Sequence, residues 1–264
     1  MVTSKDKIGV FDSGMGGLTV LREIEKCLPH EKIIYFADSK NCPYGDKTSE
    51  EILQNTRNSV LKLIELGAKL IVVACNTATS SAIRVLREEF SDVVFVAIEP
   101  AVKPATEITK TGNVAVIATQ YTINGRSLKE LCARYSGVAN ILTIATPELV
   151  AIVENNKENT DESFKILKKY FSKIIDTNID TVVLGCTHYA FLKKDIETIT
   201  AHHDIQIIDA AMAVAKQVVK VLKNKCMCAD EQSEGSVAFY SSLDEDYNRK
   251  LEKKYLEYKN LWHE

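Results

Sequence analysis

The sequence predicts an α/β protein built on parallel sheets, and three observations indicate this class. Short apolar runs typical of buried strands alternate with longer stretches in which apolar residues recur at helical spacing. Two of these runs, residues 72–74 and 182–184, lead to a cysteine and a cluster of small polar residues. The second stretch follows the first by 111 residues (186 − 75). We therefore expect two similar α/β domains that face each other.

The first part of the chain has the order strand, helix, strand, helix, which favours a parallel sheet covered by helices. Residues 12–17 fit a tight turn after the first strand, Thr48 and Glu51 have the spacing of a helix cap, and Pro100 suits a first helical turn. The predicted strands are residues 7–11, 33–37, 70–74 and 93–97, and the predicted helices are residues 18–27, 48–66, 77–90 and 99–112.

The same pattern returns in the second part. Residues 9–13 align with residues 115–119 at an offset of 106 (115 − 9), close to the separation of the two cysteine stretches. The agreement of the two offsets indicates a structural repeat. The predicted strands are residues 113–118, 141–145, 180–185, 205–208 and 236–241, and the predicted helices are residues 122–135, 147–154, 161–176, 191–199, 210–223 and 243–262.

Composition and charge exclude several classes of function. The 264 residues are 45% hydrophobic and 26% charged, as in ordinary globular proteins. Because 33 basic residues stand against 36 acidic ones, no strong positive field favours nucleic acid or an anionic membrane as a partner. We therefore expect a small substrate and no nucleic-acid or membrane partner.

The cysteines and the first residues indicate a cytoplasmic protein. Residues 1–7 carry charges and lack the apolar stretch of a secretory signal, and no apolar run is long enough to span a bilayer. Seven cysteines are an odd number, so they cannot form a complete disulfide framework. Cys226 and Cys228 form an isolated C-x-C pair without further ligands nearby, and we expect no metal site.

Cys75 and Cys186 are the first candidates for chemistry. A single cysteine at the end of a buried strand is more often an inert apolar residue than a catalyst. Two of them in matched polar surroundings favour a functional interpretation, since Asn76 and Thr77 follow the first and Thr187 and His188 the second. Each is expected at the start of a helix, where the pKa of a thiol falls below its free value of about 8.5. The two thiols are therefore plausible bases.

Asp12 and Ser13 end the first predicted strand, and parallel pairing should bring them to the same sheet edge as Cys75. They could simply cap a helix. Alternatively, Asp12 assists proton transfer at Cys75 and Ser13 binds a substrate carboxylate. The glycines that follow do not form a dinucleotide fingerprint, because Thr19 occupies the position of its third glycine. They are suited to a tight turn whose N–H groups face an anion.

His188, two residues after Cys186, could be a satisfied buried histidine or a proton relay for the thiol. The segment Pro43-Tyr44-Gly45 could equally be a structural turn. Glu154, considered alone on its helix, would be interpreted as an exposed residue.

Four motifs in this order resemble those of bacterial glutamate racemases, in the aspartate/glutamate racemase superfamily. Each is only moderately specific, but the four together are strongly so, and the resemblance spans nearly the whole chain. They are Asp12-Ser13-Gly14-Met15-Gly16-Gly17-Leu18, Pro43-Tyr44-Gly45, Cys75-Asn76-Thr77-Ala78 and Gly185-Cys186-Thr187-His188-Tyr189.

The resemblance implies a cofactor-independent racemisation of glutamate by two bases, which supplies D-glutamate for peptidoglycan. It implies that Cys75 takes the proton from D-glutamate and Cys186 takes it from L-glutamate. It also implies that Asp12 assists the first thiol, that His188 assists the second, and that Glu154 lies near this histidine. The substrate-binding residues that it implies are Asp12, Ser13, Pro43, Tyr44, Gly45, Cys75, Asn76, Thr77, Thr119, Cys186, Thr187 and His188.

The resemblance further implies two discontinuous α/β domains with the active site in the cleft between them. The first would comprise residues 1–98 and 210–264, and the second residues 99–209. Members of the family are often dimers, so a homodimer is also expected. Three positions depart from the usual family pattern, and they make the surroundings of Cys186 the less typical part of the site: Ala118, Thr146 and Ala190.

Two alternatives remain open at this point. A racemase of aspartate or of another amino acid would share the same bases and differ in its pocket. A non-catalytic protein that binds a small ligand could carry the two cysteines as structural residues. A single fixed base cannot serve both faces of a carbon, so the matched pair of thiols favours a racemase.

Overall fold

The computed structural model describes residues 6–175 and 177–260. The chain falls into two units, one formed by Met1–Ile98 with Ala211–Glu264 and one by Glu99–Ala210. Each unit contains its own parallel sheet with helices between the strands. This architecture confirms the predicted α/β class. Among the described residues, no helix has both the length and the apolar character needed to cross a bilayer.

The helices and strands follow one another in regular alternation up to residue 98. They are β1 (Lys7–Asp12), α1 (Leu18–Cys27), β2 (Lys32–Ala37), α2 (Ser49–Glu65), β3 (Ala68–Val73), α3 (Asn76–Glu89) and β4 (Phe95–Ala97). In the second unit they are α4 (Val102–Ile108), β5 (Asn113–Ala118), α5 (Gln120–Asn124), α6 (Arg126–Tyr135), β6 (Asn140–Ala145), α7 (Glu148–Glu154), α8 (Asp161–Phe171), β7 (Thr181–Leu184), α9 (Lys193–Ile199) and β8 (Gln206–Ile208). The chain then returns to the first unit with α10 (Ala211–Asn224), β9 (Ser236–Ser241) and α11 (Glu245–Asn260).

The sheet of the first unit has the strand order β4-β3-β1-β2-β9, and every pairing is parallel. The last five residues of β1, β2 and β3 are buried, which explains their nearly continuous apolar composition. Phe11 pairs with Val73, so Asp12 and Cys75 leave the sheet at the same edge, as the sequence predicts. β9 pairs with β2 along its whole length, so the C-terminal part of the chain completes this sheet.

The sheet of the second unit has the order β6-β5-β7-β8 and is also parallel throughout. β7 is fully buried and ends two residues before Cys186. Ile117 of β5 pairs with Leu184 of β7, which places Thr119 and Cys186 at the same edge. In both units, therefore, the candidate thiol lies at the carboxyl end of a central strand.

Several helices are shorter than predicted, for local reasons. The helix predicted at 122–135 is two helices, because Gly125 adopts an extended conformation with φ −64° and ψ 143°. The helix predicted at 99–112 is confined to α4, because Thr109 leaves the helical region at ψ 134°. The helix predicted at 191–199 begins at Lys193, since Thr187–Leu192 forms a 3-10 helix.

Two further predicted helices end earlier or run beyond the described residues. The helix predicted at 161–176 ends at Phe171, and its predicted last residue, Asp176, lies outside the described residues. The last helix begins at Glu245 rather than at Leu243, because Asp244 caps it by accepting a hydrogen bond from Tyr247 N. Its predicted end at Trp262 also lies outside the described residues.

A buried ion pair fastens the C-terminal segment to the amino end of the first sheet. Lys69 Nζ lies 2.6 Å from Glu31 Oε2, and the two side chains are 0% and 3% exposed. Lys69 also donates to the Met227 carbonyl over 2.8 Å, and Ala229 N donates to Glu31 over 2.7 Å. Both charges are therefore satisfied by each other and by the backbone that precedes β9, which is the condition a buried pair must meet.

Replacing Lys69 by Met should lower the free energy of unfolding by about 3–5 kcal/mol, because Glu31 would stay buried without its counter-charge. Urea unfolding followed by circular dichroism measures the change. Lys62→Met is the matched control, since Lys62 and its partner Glu65 are 42% and 69% exposed, and it should change stability by less than about 1 kcal/mol. Equal losses in the two variants would contradict this account.

Asp180 organises the amino end of the second sheet. Its buried carboxylate accepts four hydrogen bonds, from Thr109 Oγ1, Lys110 N, Thr111 N and Thr181 Oγ1. Burial alone would raise the pKa of this carboxyl, but the four donors outweigh burial and hold its pKa below the usual value. The folded state therefore favours the ionised form of Asp180.

Asp180→Asn should lower the free energy of unfolding at pH 7 by about 1–3 kcal/mol, because an amide cannot accept all four bonds. Since the folded pKa lies below the unfolded value of about 3.9, this contribution is present above about pH 4 and is lost as the pH falls through the folded pKa. Urea unfolding at several pH values should show the difference from wild type shrinking in acid. Asp204→Asn, at a side chain that is 80% exposed, is the control and should have little effect at any pH.

Candidate functional site

The first group of candidate residues lies at the carboxyl edge of the first sheet and is centred on Cys75. The thiol is 5% exposed and caps the amino end of α3, where its sulfur accepts a hydrogen bond from Ala78 N over 3.5 Å. Ser13 Oγ lies 3.4 Å from the same sulfur. A thiolate at this position would receive both donors and the positive end of the helix dipole. These two contacts therefore stabilise a thiolate at Cys75.

Asp12 is fully buried at the same sheet edge and holds the turn that follows β1. Its Oδ1 accepts a hydrogen bond from Gly14 N over 2.9 Å. Gly17 permits the turn, because a Cβ at that position would lie 2.7 Å from the Asp12 Cβ and 3.2 Å from the Ala74 Cβ. The glycines predicted to form a tight turn thus allow the backbone to pass close to Asp12.

The segment with Pro43, Tyr44 and Gly45 lies in the same unit, with Tyr44 near Cys75. Residues Tyr44–Asp46 form a short 3-10 helix after Pro43, and the Tyr44 side chain is buried. Its hydroxyl donates to Asp38 Oδ2 over 2.6 Å. Burial, the carboxylate of Asp38 and the nearby Cys75 all raise the pKa of Tyr44. Tyr44 therefore stays a neutral hydrogen-bond donor.

Asn76 and Thr77 start α3 directly after the thiol and are both buried. Within the part of the chain that the structure describes, Asn76 Oδ1 has no hydrogen-bond partner. A buried polar atom without a partner is costly, and it is expected where a ligand supplies the missing bond. Asn76 therefore offers an acceptor for a ligand N–H group at this strand end.

The second group of candidate residues lies in the other unit and is centred on Cys186 at the carboxyl end of β7. Its sulfur is 3.8 Å from His188 Nδ1, and His188 Nε2 is 2.6 Å from Glu154 Oε1. The thiol and the imidazole are 8% and 2% exposed, and the Glu154 side chain is 18% exposed. Glu154 is thus not the exposed residue that its sequence position alone indicates. The three side chains form a relay in which the carboxylate orients the imidazole towards the thiol.

Thr119 and Thr187 follow two neighbouring strands, β5 and β7. Thr119 caps α5, accepting a hydrogen bond from Thr122 N over 3.3 Å, and its hydroxyl bonds to Thr122 Oγ1 over 3.0 Å. Thr187 is the first residue of the 3-10 helix after Cys186 and is buried. A substrate-binding role for Thr119 stays a prediction, since its hydroxyl already serves as a cap.

The three residues that depart from the family pattern are buried around Cys186. Thr146 bonds through its backbone N–H to the Ala118 carbonyl over 2.9 Å, and Ala190 lies within the 3-10 helix. Gly185 passes close to Ala118, since a Cβ on Gly185 would lie 3.0 Å from the Ala118 Cβ. These residues therefore set the packing behind the second thiol rather than supplying polar groups to it.

The structure also gives a role to Tyr189, which the fourth motif contains but which was not assigned to the site, and adds Asp38, which no motif contains. Tyr189 is fully buried and donates to the Thr146 carbonyl over 2.7 Å, and burial together with the nearby Cys186 raises its pKa. Asp38, at the end of β2, accepts hydrogen bonds from Tyr44 and Asn41. A signal existed in both cases: a tyrosine in an apolar run and a carboxylate directly after a buried strand each require a partner.

Comparison with known proteins gives one consistent result. The model of the family described as Asp/Glu/Hydantoin racemase matches residues 8–218. The chain is 42% identical over 244 residues to a glutamate racemase of Herpetosiphon aurantiacus, covering 92% of this chain and 95% of the relative.

Solved structures agree with the sequence comparison. A glutamate racemase isoform from Bacillus anthracis superposes with a TM-score of 0.86 at 31% identity, covering 96% of this chain and 94% of the other. A glutamate racemase from Francisella tularensis, determined in complex with D-glutamate, gives a TM-score of 0.83 at 27% identity with the same coverage. The fold therefore matches that of these enzymes along nearly the whole chain.

Ser13→Ala should slow the alkylation of Cys75 by iodoacetamide at pH 7 several-fold, because a lost O–H donor leaves the reactive thiolate less stabilised. Mass spectrometry of the labelled peptides measures the rate for each cysteine separately. Cys186, whose partner is His188, is the internal control and should react as in the wild type. An unchanged rate at Cys75 would show that the 3.4 Å contact with Ser13 does not stabilise the thiolate.

Proposed function

The chain belongs to the Asp/Glu/Hydantoin racemase family, and on this premise we propose that it interconverts L-glutamate and D-glutamate with Cys75 and Cys186 as the two acid/bases. One observation carries the proposal. Each unit has a buried thiol at the carboxyl end of a central parallel strand, and each thiol has its own hydrogen-bonding partner. The relatives with this fold are glutamate racemases, which supports glutamate as the substrate.

Racemisation explains why two bases are needed. A proton must leave one face of the α-carbon, and another must be delivered to the opposite face. One thiol must therefore be deprotonated while the other carries a proton, and the reverse reaction exchanges their roles. Two thiols with separate partners satisfy this requirement without routing any step through a cofactor.

In the proposed reaction Cys75 takes the proton from D-glutamate and returns one when L-glutamate reacts. Ser13 and the Ala78 N–H stabilise its thiolate through the contacts described above. Asp12, whose carboxylate is held by Gly14 N, assists the proton transfer. The fully buried position of Asp12 keeps this exchange away from bulk water.

Cys186 has the corresponding role towards L-glutamate. His188 lies on the sulfur side of the relay and Glu154 on the far side, so the imidazole can accept the thiol proton while the carboxylate stabilises the resulting charge. The thiolate of Cys186 and the imidazolium of His188 then form together. When D-glutamate reacts, the relay keeps Cys186 protonated.

We propose that the substrate is bound by polar groups next to both thiols. The unpartnered Asn76 Oδ1 is suited to the ammonium group of an amino acid. The hydroxyls of Thr77 and Thr187 and the backbone of the segment Pro43-Tyr44-Gly45 are the proposed donors to its carboxylates. The Ser13 hydroxyl has a single proton, so it can donate to a carboxylate only while Cys75 is protonated. Hydrogen bonds to the α-carboxylate stabilise the negative charge that develops when the α-proton leaves.

The biological role follows from the same proposal. D-glutamate is a constituent of peptidoglycan, so we infer that the enzyme supplies cell-wall synthesis from a cytoplasmic pool of L-glutamate. The homodimer that the sequence resemblance implies stays a prediction.

Cys75→Ala and Cys186→Ala should each abolish glutamate racemisation, because either change removes one of the two proton carriers. Circular dichroism of free glutamate measures the conversion. In a separate measurement in heavy water, the wild type should place deuterium at the α-position of the product. Cys132→Ala is the matched control, since Cys132 is a half-buried thiol on α6 whose pKa is raised by burial, and this variant should keep wild-type activity.

The same assay separates the alternatives. Full activity in either catalytic-cysteine variant would refute the two-base mechanism. Turnover of L-aspartate or L-alanine in place of L-glutamate would identify a different amino-acid racemase. Tight binding of glutamate by the wild type without turnover would identify a binding protein instead.

A further inference from the structure

The turn that carries Asp12 and Ser13 is held from the neighbouring strand by Tyr35. This tyrosine lies on β2 and is fully buried. Its hydroxyl donates to the Gly14 carbonyl over 2.6 Å, while Gly14 N donates to the Asp12 carboxylate over 2.9 Å. Gly14 is therefore fixed at both of its backbone polar groups, by Tyr35 on one side and by Asp12 on the other.

Close packing connects the tyrosine hydroxyl to the same carboxylate. A Cβ on Gly17 would lie 3.0 Å from Tyr35 Oη and 2.7 Å from the Asp12 Cβ. The Tyr35 hydroxyl and the Asp12 side chain thus border the same point of the turn. If the turn moved at Gly17, its backbone would collide with the Tyr35 hydroxyl or with the Asp12 side chain.

The ring of Tyr35 is itself held by residues from the C-terminal part of the chain. Its centroid is 6.3 Å from that of Phe239 on β9, and Phe239 is 5.5 Å from Tyr255 on α11. This aromatic row fixes the direction in which the hydroxyl points. The hydroxyl of Tyr255, at the far end of the row, donates to Glu25 Oε2 instead.

We propose that Tyr35 is a positioning residue for proton transfer at Cys75, an inference that rests on the proposed function of this thiol. The hydroxyl fixes the Gly14 carbonyl, and Gly14 N in turn fixes the Asp12 carboxylate. Ser13 lies between these two anchors and faces the Cys75 sulfur. Without the hydroxyl, the buried Gly14 carbonyl loses its donor, and the turn must move to find another.

Tyr35→Phe tests the inference, with Tyr255→Phe as the matched control. Both changes remove one hydroxyl from the same aromatic row of the same unit, but only the first hydroxyl contacts the turn. We expect kcat/KM for glutamate to fall about tenfold in Tyr35→Phe and less than about twofold in Tyr255→Phe. Because L- and D-glutamate have equal free energy in water, kcat/KM must fall by the same factor in both directions.

The primary isotope effect distinguishes positioning from general destabilisation. If the defect lies at Cys75, slower abstraction from D-glutamate raises the isotope effect with D-[2-²H]glutamate relative to that with L-[2-²H]glutamate. A purely structural defect would leave the ratio of the two isotope effects at its wild-type value. That outcome, or equal losses of kcat/KM in the two variants, would overturn the proposal.

A second measurement separates this inference from the proposed function. If the wild type does not racemise glutamate, the proposed function fails, but the alkylation rate of Cys75 by iodoacetamide still tests Tyr35. Tyr35→Phe should slow that rate several-fold and leave Cys186 unchanged, and an unchanged rate at Cys75 overturns the inference. If Tyr35→Phe does not fold, Phe239→Leu replaces it as the test, because this change loosens the Tyr35 ring but keeps the hydroxyl. The isotope-effect ratio or the alkylation rate of Cys75 should then shift in the same direction but less strongly. An unchanged ratio and rate would overturn the inference.

Discussion

Parallel pairing is the constraint that positions both candidate thiols. In the first unit β1 lies between β2 and β3, so the residues that follow these strands meet at one edge of the sheet. In the second unit β5 lies between β6 and β7, with the same consequence. A slip of one residue in either register would turn every side chain of the strand to the opposite face. Both faces of β1, β3, β5 and β7 are buried, so a slip would force each side chain into space that is packed for a residue of different size.

The two thiols are alike in position but differ in how they are supported. Cys75 is contacted by the Ser13 hydroxyl and by the Ala78 N–H at a helix amino end, and both contacts stabilise a thiolate. Cys186 faces an imidazole backed by a carboxylate, which can store the proton that the thiol releases. A reaction that needs one thiol charged and the other protonated benefits from this difference, because the two protonation states are controlled by separate groups.

The C-terminal segment, which returns to the first unit, stabilises the first sheet and the turn that carries Asp12. β9 covers the edge of β2, and the Lys69 ion pair binds the backbone that leads into β9. Phe239 on this strand then packs against Tyr35, whose hydroxyl holds the turn at Gly14. Residues more than two hundred positions away in sequence therefore support the carboxylate of Asp12.

The sequence alone determined the α/β class, most strand positions and the two thiols, because apolar runs and their polar ends are local patterns. It could not determine that Ser13 contacts Cys75 or that Tyr35 holds Gly14, and it placed Glu154 near His188 only through the family resemblance. These pairs are separated by tens of residues, and only strand order and register bring them together. The break at Gly125 and the 3-10 helix after Cys186 likewise depended on packing, since a helical pattern does not by itself specify where the backbone leaves the helix.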